Sequence, residues 1–438
     1  MDDRELLEFY RAARAQLPAG TEPLSEEREF GHKHIADTGF PTRHHEAWRH
    51  TNPAPLTGTG FGPVSTPGKV SLEQISPHTL TVDNGPRLVF VDGRFAADLS
   101  RMPEMSGLLV GALSDATVAG HPVIRDQLRR RVALGGDGFC GLNAAFVVDG
   151  AAVIVDEAVA VDEVIEVLHL TTGSSDPSLT APRTLITASA GSRLNVVESF
   201  TSLSVAPSLT SSLLDVVVGD GAQVEVTRIQ AETDTAYHVG NVRVREAEGS
   251  RFTAHSLCLG GRIVRNDVVT TLEGEDIDST LNGLSLTLAE EHVDNYTTIE
   301  HAAANCTSHE LYKGILADAS RTVFRGKIHV HREAQKTDAY QSNQSLLLSD
   351  SAEVTSKPQL EIYADDVKCS HGSTTGQLDA NAIFYLRSRG VPFEAARRVL
   401  TRAFAWELID RIPESVRHHA EKLVSAKLDR VLAGTATS

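Results

Sequence analysis

Cys369 and His371 stand two residues apart in a long polar segment, residues 335–376, that is rich in Ser, Thr and Gln. In an extended strand side chains alternate between two faces, so this pair would project to one side of the strand. A thiolate and an imidazole on one surface form a ligand pair that iron and zinc favour. The same spacing is also typical of a buried free cysteine beside a hydrogen-bonded histidine, because unpaired thiols are commonly buried. The spacing alone leaves a metal site and a packed pair both open.

Two further pairs have residue types that could do chemistry. His329 and His331, in the string KIHVH, would share one strand face and could bind a metal. Without a third ligand, such a pair is more typical of surface imidazoles. Asp365 and Asp366 are similar to the paired carboxylates of polysaccharide hydrolases, but adjacent strand residues face opposite sides and could flank one bond only at a bulge. Neither pair predicts a catalytic centre.

The remaining motifs are weaker. His292, His301, Cys306 and His309 form a loose group within the string EHVDNYTTIEHAAANCTSHELYKG. The glycines of residues 58–62 suggest a phosphate-binding loop, but such a loop joins a strand to a helix, and here a proline and further turn residues follow. The sequence has no Ser-His-Asp order, Walker lysine, kinase signature or Cys-x-x-Cys. It therefore predicts a protein that is not an enzyme and binds no nucleotide, and that completes a site across an interface.

The composition and charge of the chain argue against several classes of partner and location. The chain of 438 residues carries 58 acidic and 41 basic residues, a net charge of −17, which argues against nucleic acid or an anionic membrane as a partner. Residues 1–17 are charged and helical in period, and no stretch approaches the roughly 20 apolar residues of a membrane span. We therefore expect a cytoplasmic protein. Its cysteines, Cys140, Cys258, Cys306 and Cys369, lie more than 45 residues apart and are expected to be free thiols.

The middle of the chain, residues 151–376, is β-branched, alternating in polarity and punctuated by similar turns. Three turns begin at residues 190, 219 and 248, a step of 29, and two more begin at 317 and 349, which are 32 apart. Each turn has Gly, Asp or Ala, then a polar residue, then an apolar residue that starts a strand. Such spacing is typical of stacked rungs, whereas a β-sandwich, the alternative, would turn about every 8 to 12 residues. We predict a mainly β fold, a right-handed parallel β-helix (β-solenoid).

An N-terminal region, residues 1–150, would cap one end of this solenoid, because open solenoid ends need covering. A helical pattern extends to about Phe40, with Leu6, Leu7 and Tyr10 at helical spacing. A loop rich in Pro, Gly and Thr follows over residues 51–68. Short strands and a helix near residues 115–131 then complete a predicted α/β cap.

A C-terminal region, residues 377–438, is predicted to be helical and to cap the other end. Gly390 is placed as a helix stop, and Pro413 is placed at the start of the last helix. Between them runs an apolar stripe at helical spacing, which includes Phe393, Leu400, Phe404 and Leu408. Such a stripe either packs on its own domain or docks a partner, since a small terminal unit cannot bury all its apolar surface alone.

Six strings resemble the SufB/SufD family of iron-sulfur cluster assembly proteins. The three most specific are DAYQSNQSLLLSDSAEVTSKPQLEIYADDVKCSHG (338–372), SHELYKGILADASRTVFRGKI (308–328) and FYLRSRGVP (384–392). The N-terminal strings are GFPTRHHEAWRHT (39–51), LVFVDGRF (88–95) and LNAAFVVDG (142–150). The CSHG element is similar to the SufD branch, because the SufB branch has an acidic residue after a histidine at that place. By resemblance, the chain is identified as a member of this family over nearly its whole length.

The resemblance implies a SufD-like scaffold subunit of a SufB-SufC-SufD complex, on which iron and sulfide are assembled into a cluster and passed on. It implies that His371 faces the sulfur-accepting cysteine of a SufB-like paralogue, with Cys369 as a second ligand or a packing residue. It also implies that the C-terminal helices hold a SufC-like ATPase, and that the loose His and Cys group lies near the paralogue contact. The expected cargo is an iron-sulfur cluster held transiently at the interface.

Two other functions remain open. The chain could be a SufB-like or homodimeric sulfur acceptor with Cys369 as nucleophile, which requires a reactive thiolate. Lys368 could favour that thiolate only if it bent to the same side of the strand. Alternatively, the chain could be a purely structural tether for the ATPase, a role that needs neither Cys369 nor His371. Whether the isolated chain forms a homodimer also remains open.

Overall fold

The computed structural model describes residues 3–80, 84–130, 136–173 and 177–434. Its helices are α1 Asp3–Ala13, α2 Glu22–Thr38, α3 Ala54–Gly58, α4 Leu72–Ile75, α5 Ala116–Ala119, α6 Pro122–Arg129, α7 Gly138–Phe146, α8 Ala380–Ser388, α9 Phe393–Ile409 and α10 Glu414–Gly434. Its strands are β1 Gly62–Pro63, β2 Arg87–Val91, β3 Arg94–Phe95, β4 Leu108–Ala112, β5 Gly150–Val155, β6 Ala160–Thr171, β7 Ser178–Thr180, β8 Arg183–Ala188, β9 Arg193–Ser202, β10 Ser208–Val218, β11 Gln223–Ala231, β12 Ala236–Glu246, β13 Arg251–Cys258, β14 Ile263–Leu272, β15 Asp278–Thr287, β16 His292–His301, β17 Thr307–Leu316, β18 Arg321–Val330, β19 Asp338–Leu347, β20 Glu353–Ile362 and β21 Lys368–Gly376. The expected mainly β fold is confirmed.

The strands form two sheets, which we call sheet A and sheet B. Sheet A has the order β20-β18-β16-β14-β12-β10-β8-β5-β4, and sheet B has the order β21-β19-β17-β15-β13-β11-β9-β6-β2-β3. From β8 onward, consecutive strands alternate between the sheets, and each strand pairs in parallel with the strand two places along the chain. Each rung thus contributes one strand to each sheet. This topology confirms the predicted parallel β-helix.

The predicted turns each lead directly into a strand. β9, β11, β13, β18 and β20 begin immediately after the five turns. Gly191, Gly221 and Gly249 have positive φ angles of 66°, 63° and 64°, a conformation that glycine adopts without steric cost. Asp318 takes the same conformation with φ of 55°, which Asp tolerates better than most residues. The repeated turn in the sequence therefore corresponds to a repeated backbone geometry.

The N-terminal region both extends the sheets and covers one of them. β2 pairs with β6, and β4 pairs with β5, so the N-terminal strands continue the two sheets past the first rung. Leu88 and Phe90 of β2 belong to the apolar cluster that fills the inside of the β-helix. Helices α1, α2 and α7 pack on the outer face of sheet A, in a second cluster that includes Tyr10, Phe146 and Leu209.

The C-terminal helices lie along the outer face of sheet B rather than across the last rung. Buried side chains of α9 and α10, among them Leu408 and Val424, form one cluster with outward-facing Leu284 and Ile315 of sheet B. The physical reason is the apolar character of that outer face, which must be covered along several rungs. The final rung, β20 and β21, is therefore left with exposed inward-facing positions.

Two local predictions differ from the structure. The helix expected near residues 115–131 is two short helices, α5 and α6, because Gly120 caps the first and Pro122 starts the second. Residue 131 lies outside the described residues. The loop expected over residues 51–68 contains α3 and the short strand β1, which pairs with β7.

Candidate functional site

The last strand of sheet B carries the predicted Cys369 and His371. In the register with β19, Cys369 lies opposite Ala339 and His371 opposite Gln341. Ala339 and Gln341 are both fully buried on the inward side of β19. Cys369 and His371 therefore share the inward face of β21, as the alternation of strand side chains predicted. His371 is exposed, because no further rung of the described residues covers it, whereas Cys369 is half-buried.

The thiol of Cys369 packs against a small apolar cluster at this end. Its neighbours include Ile328, Val330 and Ala339. Burial raises the pKa of Cys369, and the charge of Asp338 raises it further. Lys368 takes an outward-facing position, on the opposite side of the strand. Because the thiolate is disfavoured here, Cys369 is a poor nucleophile within this chain alone.

The pair does not make a complete metal site by itself. Within the described ranges, no group of three or more His, Cys, Asp or Glu side chains is arranged to hold a metal ion. A four-coordinate iron or zinc site would therefore need ligands from outside this chain or from the cargo itself. The open rung leaves room for those ligands, since the inward-facing Ser373 and Thr375 are exposed beside His371.

The loose group of His and Cys residues is not brought together as a ligand set. His301 is fully buried, its Nε2 lies 2.9 Å from the Ser308 hydroxyl, and burial lowers its pKa to about 4. Cys306 is also buried, and its thiol donates to the carbonyl of Gly274 at 3.3 Å. His292 Nε2 lies 2.9 Å from the hydroxyl of Thr51, while His309 is exposed. The contacts of the buried His301 and Cys306 and of the half-buried His292 are structural.

His329 and His331 share a face, as their spacing predicted. Their ring centroids are 4.5 Å apart, and Tyr363 makes an edge contact with His329 at 5.6 Å. Burial lowers the pKa of His329, and the neighbouring His331 and Lys327 lower it further. The tilted imidazole pair on the outer face of sheet A explains these two residues through packing.

The other competing motifs also have structural places. Asp365 and Asp366 are both exposed in the turn between β20 and β21. The glycines of residues 58–62 lie between α3 and β1, so they do not join a strand to a helix. Cys140, Cys258 and Cys306 are buried free thiols, and Cys369 is a half-buried one, as the wide spacing predicted. No helix among the described residues is long and apolar enough to cross a membrane.

The predicted apolar stripe divides between the core and the surface. Leu408 is buried in the cluster between α9 and sheet B, and Phe404 is half-buried with Lys313 Nζ 4.2 Å from its ring centroid. Leu400 is half-buried and Phe393 is exposed. The stripe is thus mainly the side of α9 that packs on its own chain.

The exposed apolar side chains nearby come from α8 and the outer side of α9. Besides Phe393 they include Phe384, 73% exposed, Tyr385 and Val399. These three residues were not singled out from the sequence. Their spacing does not follow one helical stripe, because they belong to two helices.

Comparison with known proteins agrees with this architecture. The family model described as "SUF system FeS cluster assembly, SufBD core domain" matches residues 169–404. The model described as "SufBD protein N-terminal region" matches residues 2–167. The chain belongs to the SufBD family. The family predicted from the six strings is therefore confirmed.

Individual SufBD relatives match over most of the chain. The iron-sulfur cluster assembly protein SufD of Escherichia coli K12 is 35% identical over 377 residues, which cover 86% of each protein. A SufBD family protein of Synechocystis is 29% identical over 426 residues, 94% of this chain and 92% of the relative. The chloroplastic protein ABCI7 of Arabidopsis thaliana is 28% identical over 442 residues, 96% of this chain and 90% of the relative. The chain is a homologue of SufD, a protein of iron-sulfur cluster assembly.

The SufBD core also contains two buried polar residues behind His371 that the sequence did not reveal. Glu310 and Gln341 occupy inward-facing positions on β17 and β19, and the Gln341 amide donates to the Glu310 carboxylate at 2.5 Å. Burial raises the pKa of Glu310 to about 7, outweighing the hydrogen bond from Gln341 that lowers it. Polar residues at inward-facing positions could have indicated Glu310 and Gln341, but the sequence alone does not show which face of each strand is inward.

Proposed function

We propose that this chain is a SufD-like scaffold subunit of a SufB-SufC-SufD complex in the cytoplasm, and that it does no catalysis by itself. The observation that carries the proposal is the open last rung, which exposes His371 beside the half-buried Cys369 on a member of the SufBD family. An incomplete ligand set at an uncovered edge is suited to a site that a partner completes. The iron-sulfur cluster is the cargo of this site.

In this proposal His371 is the principal ligand that the chain offers. A neutral imidazole nitrogen is a weaker ligand for iron than a thiolate. A cluster held partly by histidine is therefore released more readily than one held by four cysteines, which suits a protein that passes its cluster on. Cys369 is either a second ligand or a packing residue, because its thiol already contacts the apolar cluster at the end of the β-helix.

The last rung also offers a docking surface for a SufB-like paralogue. Among the described residues, β20 and β21 are the terminal strands of their sheets, so each has one row of backbone donors and acceptors without a neighbouring strand. Another chain can pair with such an edge by adding its own strands. In the absence of the paralogue, a second copy of this chain could occupy the same edge, which would make the isolated protein a homodimer.

The C-terminal helices are proposed to hold a SufC-like ATPase. Phe384, Tyr385, Phe393 and Val399 expose apolar surface on α8 and α9, at the rim of the residue 377–438 region. Of the predicted stripe, Phe393 contributes directly, while Leu400 and Phe404 are half-buried. Leu408 supports the helix from the core and would not contact the partner.

The decisive experiment is the substitution His371→Ala in the assembled complex, with iron and acid-labile sulfide measured after purification. The variant removes the exposed imidazole and should leave the complex assembled and hydrolysing ATP. Its cluster content should fall at least about tenfold, since even indirect changes around a metal site cost 10- to 100-fold. The control is His309→Ala, which removes an exposed imidazole from the outer face of sheet B.

The same measurement separates the alternatives. Wild-type cluster content in the His371→Ala complex would contradict the proposal and favour the purely structural tether. A persulfide trapped on Cys369, together with loss of sulfur loading in Cys369→Ser, would favour the sulfur acceptor. Subunit stoichiometry by gel filtration must be unchanged in His371→Ala, because a weaker partner contact would also lower the cluster content.

A further inference from the structure

A buried amide lies directly behind His371. Gln341 occupies the register position opposite His371 on the neighbouring strand, and Glu310 occupies the position opposite Gln341 on the next strand. Gln341 is 0% exposed. Three successive inward-facing positions of sheet B are therefore Glu310, Gln341 and His371, one on each of the last three strands, and only the last is exposed.

The orientation of the Gln341 amide is set by Glu310. Gln341 Nε2 donates to Glu310 Oε2 at 2.5 Å. The carbonyl oxygen, Oε1, then lies on the other side of the amide and has no hydrogen-bond partner among the described residues. A buried acceptor without a partner destabilises the folded protein, so a donor that can reach it gains a favourable contact.

The opposite sheet leaves space for this amide. Gly326 of β18 faces Gln341 across the inside of the β-helix, and a Cβ atom built on Gly326 would lie 2.0 Å from Gln341 Nε2 and 2.6 Å from its Cδ. No side chain other than that of glycine fits there while the amide keeps its place. The position of Gln341 is thus supported from two directions, by a hydrogen bond from one strand and by a missing side chain on the facing strand.

We propose that Gln341 is the positioning residue for His371: its unpartnered Oε1 accepts a hydrogen bond from one imidazole N–H. Neighbouring strands are about 4.8 Å apart, so rotation of the exposed His371 side chain is enough to make this contact without moving the backbone. The hydrogen bond fixes the tautomer and the ring orientation, and it leaves the other imidazole nitrogen bare. In metal sites a histidine ligand is commonly held in this way by a carbonyl oxygen behind it.

The first test measures the tautomer of His371 in the full-length chain without iron. Imidazole ¹⁵N chemical shifts report which nitrogen carries the proton, and the His371→Ala spectrum assigns the signal. In the wild type we expect one tautomer to dominate at His371, whereas the exposed His309 should show a mixture and serves as internal reference. In Gln341→Met, which keeps an unbranched chain of similar length but no acceptor, His371 should show the same mixture as His309.

Two further variants guard against a merely structural effect. Gly326→Ala displaces the amide without altering Gln341 or His371, and should also produce the mixed tautomers. Asn343→Leu is the matched control, because it removes another buried inward-facing amide of β19, opposite Ser373 instead of His371. Its His371 signal should match the wild type. A His371 tautomer mixture that is the same in the wild type, Gln341→Met and Gly326→Ala would overturn the inference.

The second test uses the assembled complex, and its interpretation rests on the proposed function. If His371 binds the cargo, Gln341→Met should lower iron and sulfide several-fold, by less than His371→Ala does, while Asn343→Leu retains the wild-type amount. Wild-type cluster content in His371→Ala would reject the proposed ligand role but leave the tautomer result standing. Loss of cluster in His371→Ala combined with wild-type content in Gln341→Met would retain the ligand role and reject Gln341 as its positioning residue.

Discussion

The two ends of the β-helix differ in what covers their inward-facing side chains. At the N-terminal end, Ile165 and Val167 are fully buried beneath side chains such as Phe95 and Leu108, which belong to strands that continue the sheets. At the C-terminal end, His371 is exposed, and Ile362 is 38% exposed. One end is closed by the chain itself, and the other is left open by the described residues.

This difference between the two ends separates residues that stabilise the fold from residues that are available to bind a partner. A closed end needs apolar side chains, because their burial is what stabilises the cover. An open end can present polar residues such as His371, Ser373 and Thr375 to solvent without penalty, while the partly exposed Ile362 and the exposed Tyr363 give a partner apolar surface to bury. Substitutions at the two ends should therefore affect different measurements, stability at the first and assembly at the second.

The largest effect on stability is expected at the buried ion pair of Arg265 and Asp294, which connects the N-terminal region to sheet A. Arg265 donates to Asp294 at 2.5 Å and to the carbonyl of Ala47 at 3.0 Å, and it lies 4.4 Å over the Trp48 ring. Arg265→Ala leaves the Asp294 carboxylate buried without its cation, which should cost about 3–5 kcal/mol in urea unfolding. The control Arg262→Ala breaks an exposed pair with Glu290 and should cost less than about 1 kcal/mol. An equal loss of unfolding free energy in both variants would contradict the expectation that the buried pair stabilises the protein more than the exposed pair does.

An intermediate effect is expected from the buried carboxyl groups inside the β-helix, and it should depend on pH. Burial raises the pKa of Glu246 from 4.5 to about 8. The folded protein therefore holds a proton that the unfolded chain releases, so this contribution to stability is present below about pH 4.5 and is lost as the pH rises towards 8. Glu246→Gln should match the wild type near pH 4.5 and be more stable, on the order of 4 kcal/mol, near pH 9.

Glu310, nearer the open end, provides the comparison for that experiment. Its pKa is raised from 4.5 only to about 7, so Glu310→Gln should show a narrower pH window and a smaller gain. Unfolding curves collected across the pH range check both variants. A stability difference from the wild type that does not change with pH would show that the carboxyl groups do not titrate as expected.

The smallest effect on stability is expected on the exposed surface of α8 and α9. The double variant Phe384→Ser and Phe393→Ser removes exposed rings, so unfolding free energy should change by no more than about 0.5 kcal/mol per site. Retention of the SufC-like ATPase in a pull-down should nevertheless be lost, because large aromatic side chains dominate interface energetics. Leu408→Ala is the contrasting variant, with an expected cost of about 2–5 kcal/mol because it leaves a cavity in the core. Full ATPase retention by the double variant would place the docking surface elsewhere.

Much of the architecture could be predicted because it depends on patterns between residues that are close together in the sequence. Turns that begin at equal steps of 29 residues place Gly191, Gly221 and Gly249 in the same left-handed backbone conformation, so the repeat in sequence is also a repeat in geometry. The shared face of Cys369 and His371 follows from the two-residue period of a strand. The helix near residues 115–131 was less predictable, since Gly120 and Pro122 interrupt an otherwise helical pattern.

The buried column behind His371 could not be predicted in the same way. Glu310, Gln341 and His371 are about 30 residues apart in succession, and they become neighbours only through the register of β17, β19 and β21. A shift of one residue in either pairing would turn the polar side chains to the opposite face. Register depends on the length of each turn and on packing inside the β-helix, which are properties of the assembled rungs.

The sequence by itself determined the family, the β-helix and the pairing of a thiol with an imidazole on one strand face, because each rests on short-range periodicity or on motifs that are contiguous in the chain. Only the tertiary structure decided that the C-terminal helices cover sheet B along its side, that Leu408 belongs to the core, and that the last rung exposes His371. These outcomes depend on which surfaces compete for burial when distant segments pack together. The burial of a residue depends on the whole fold, so it cannot be predicted from a single segment of the sequence.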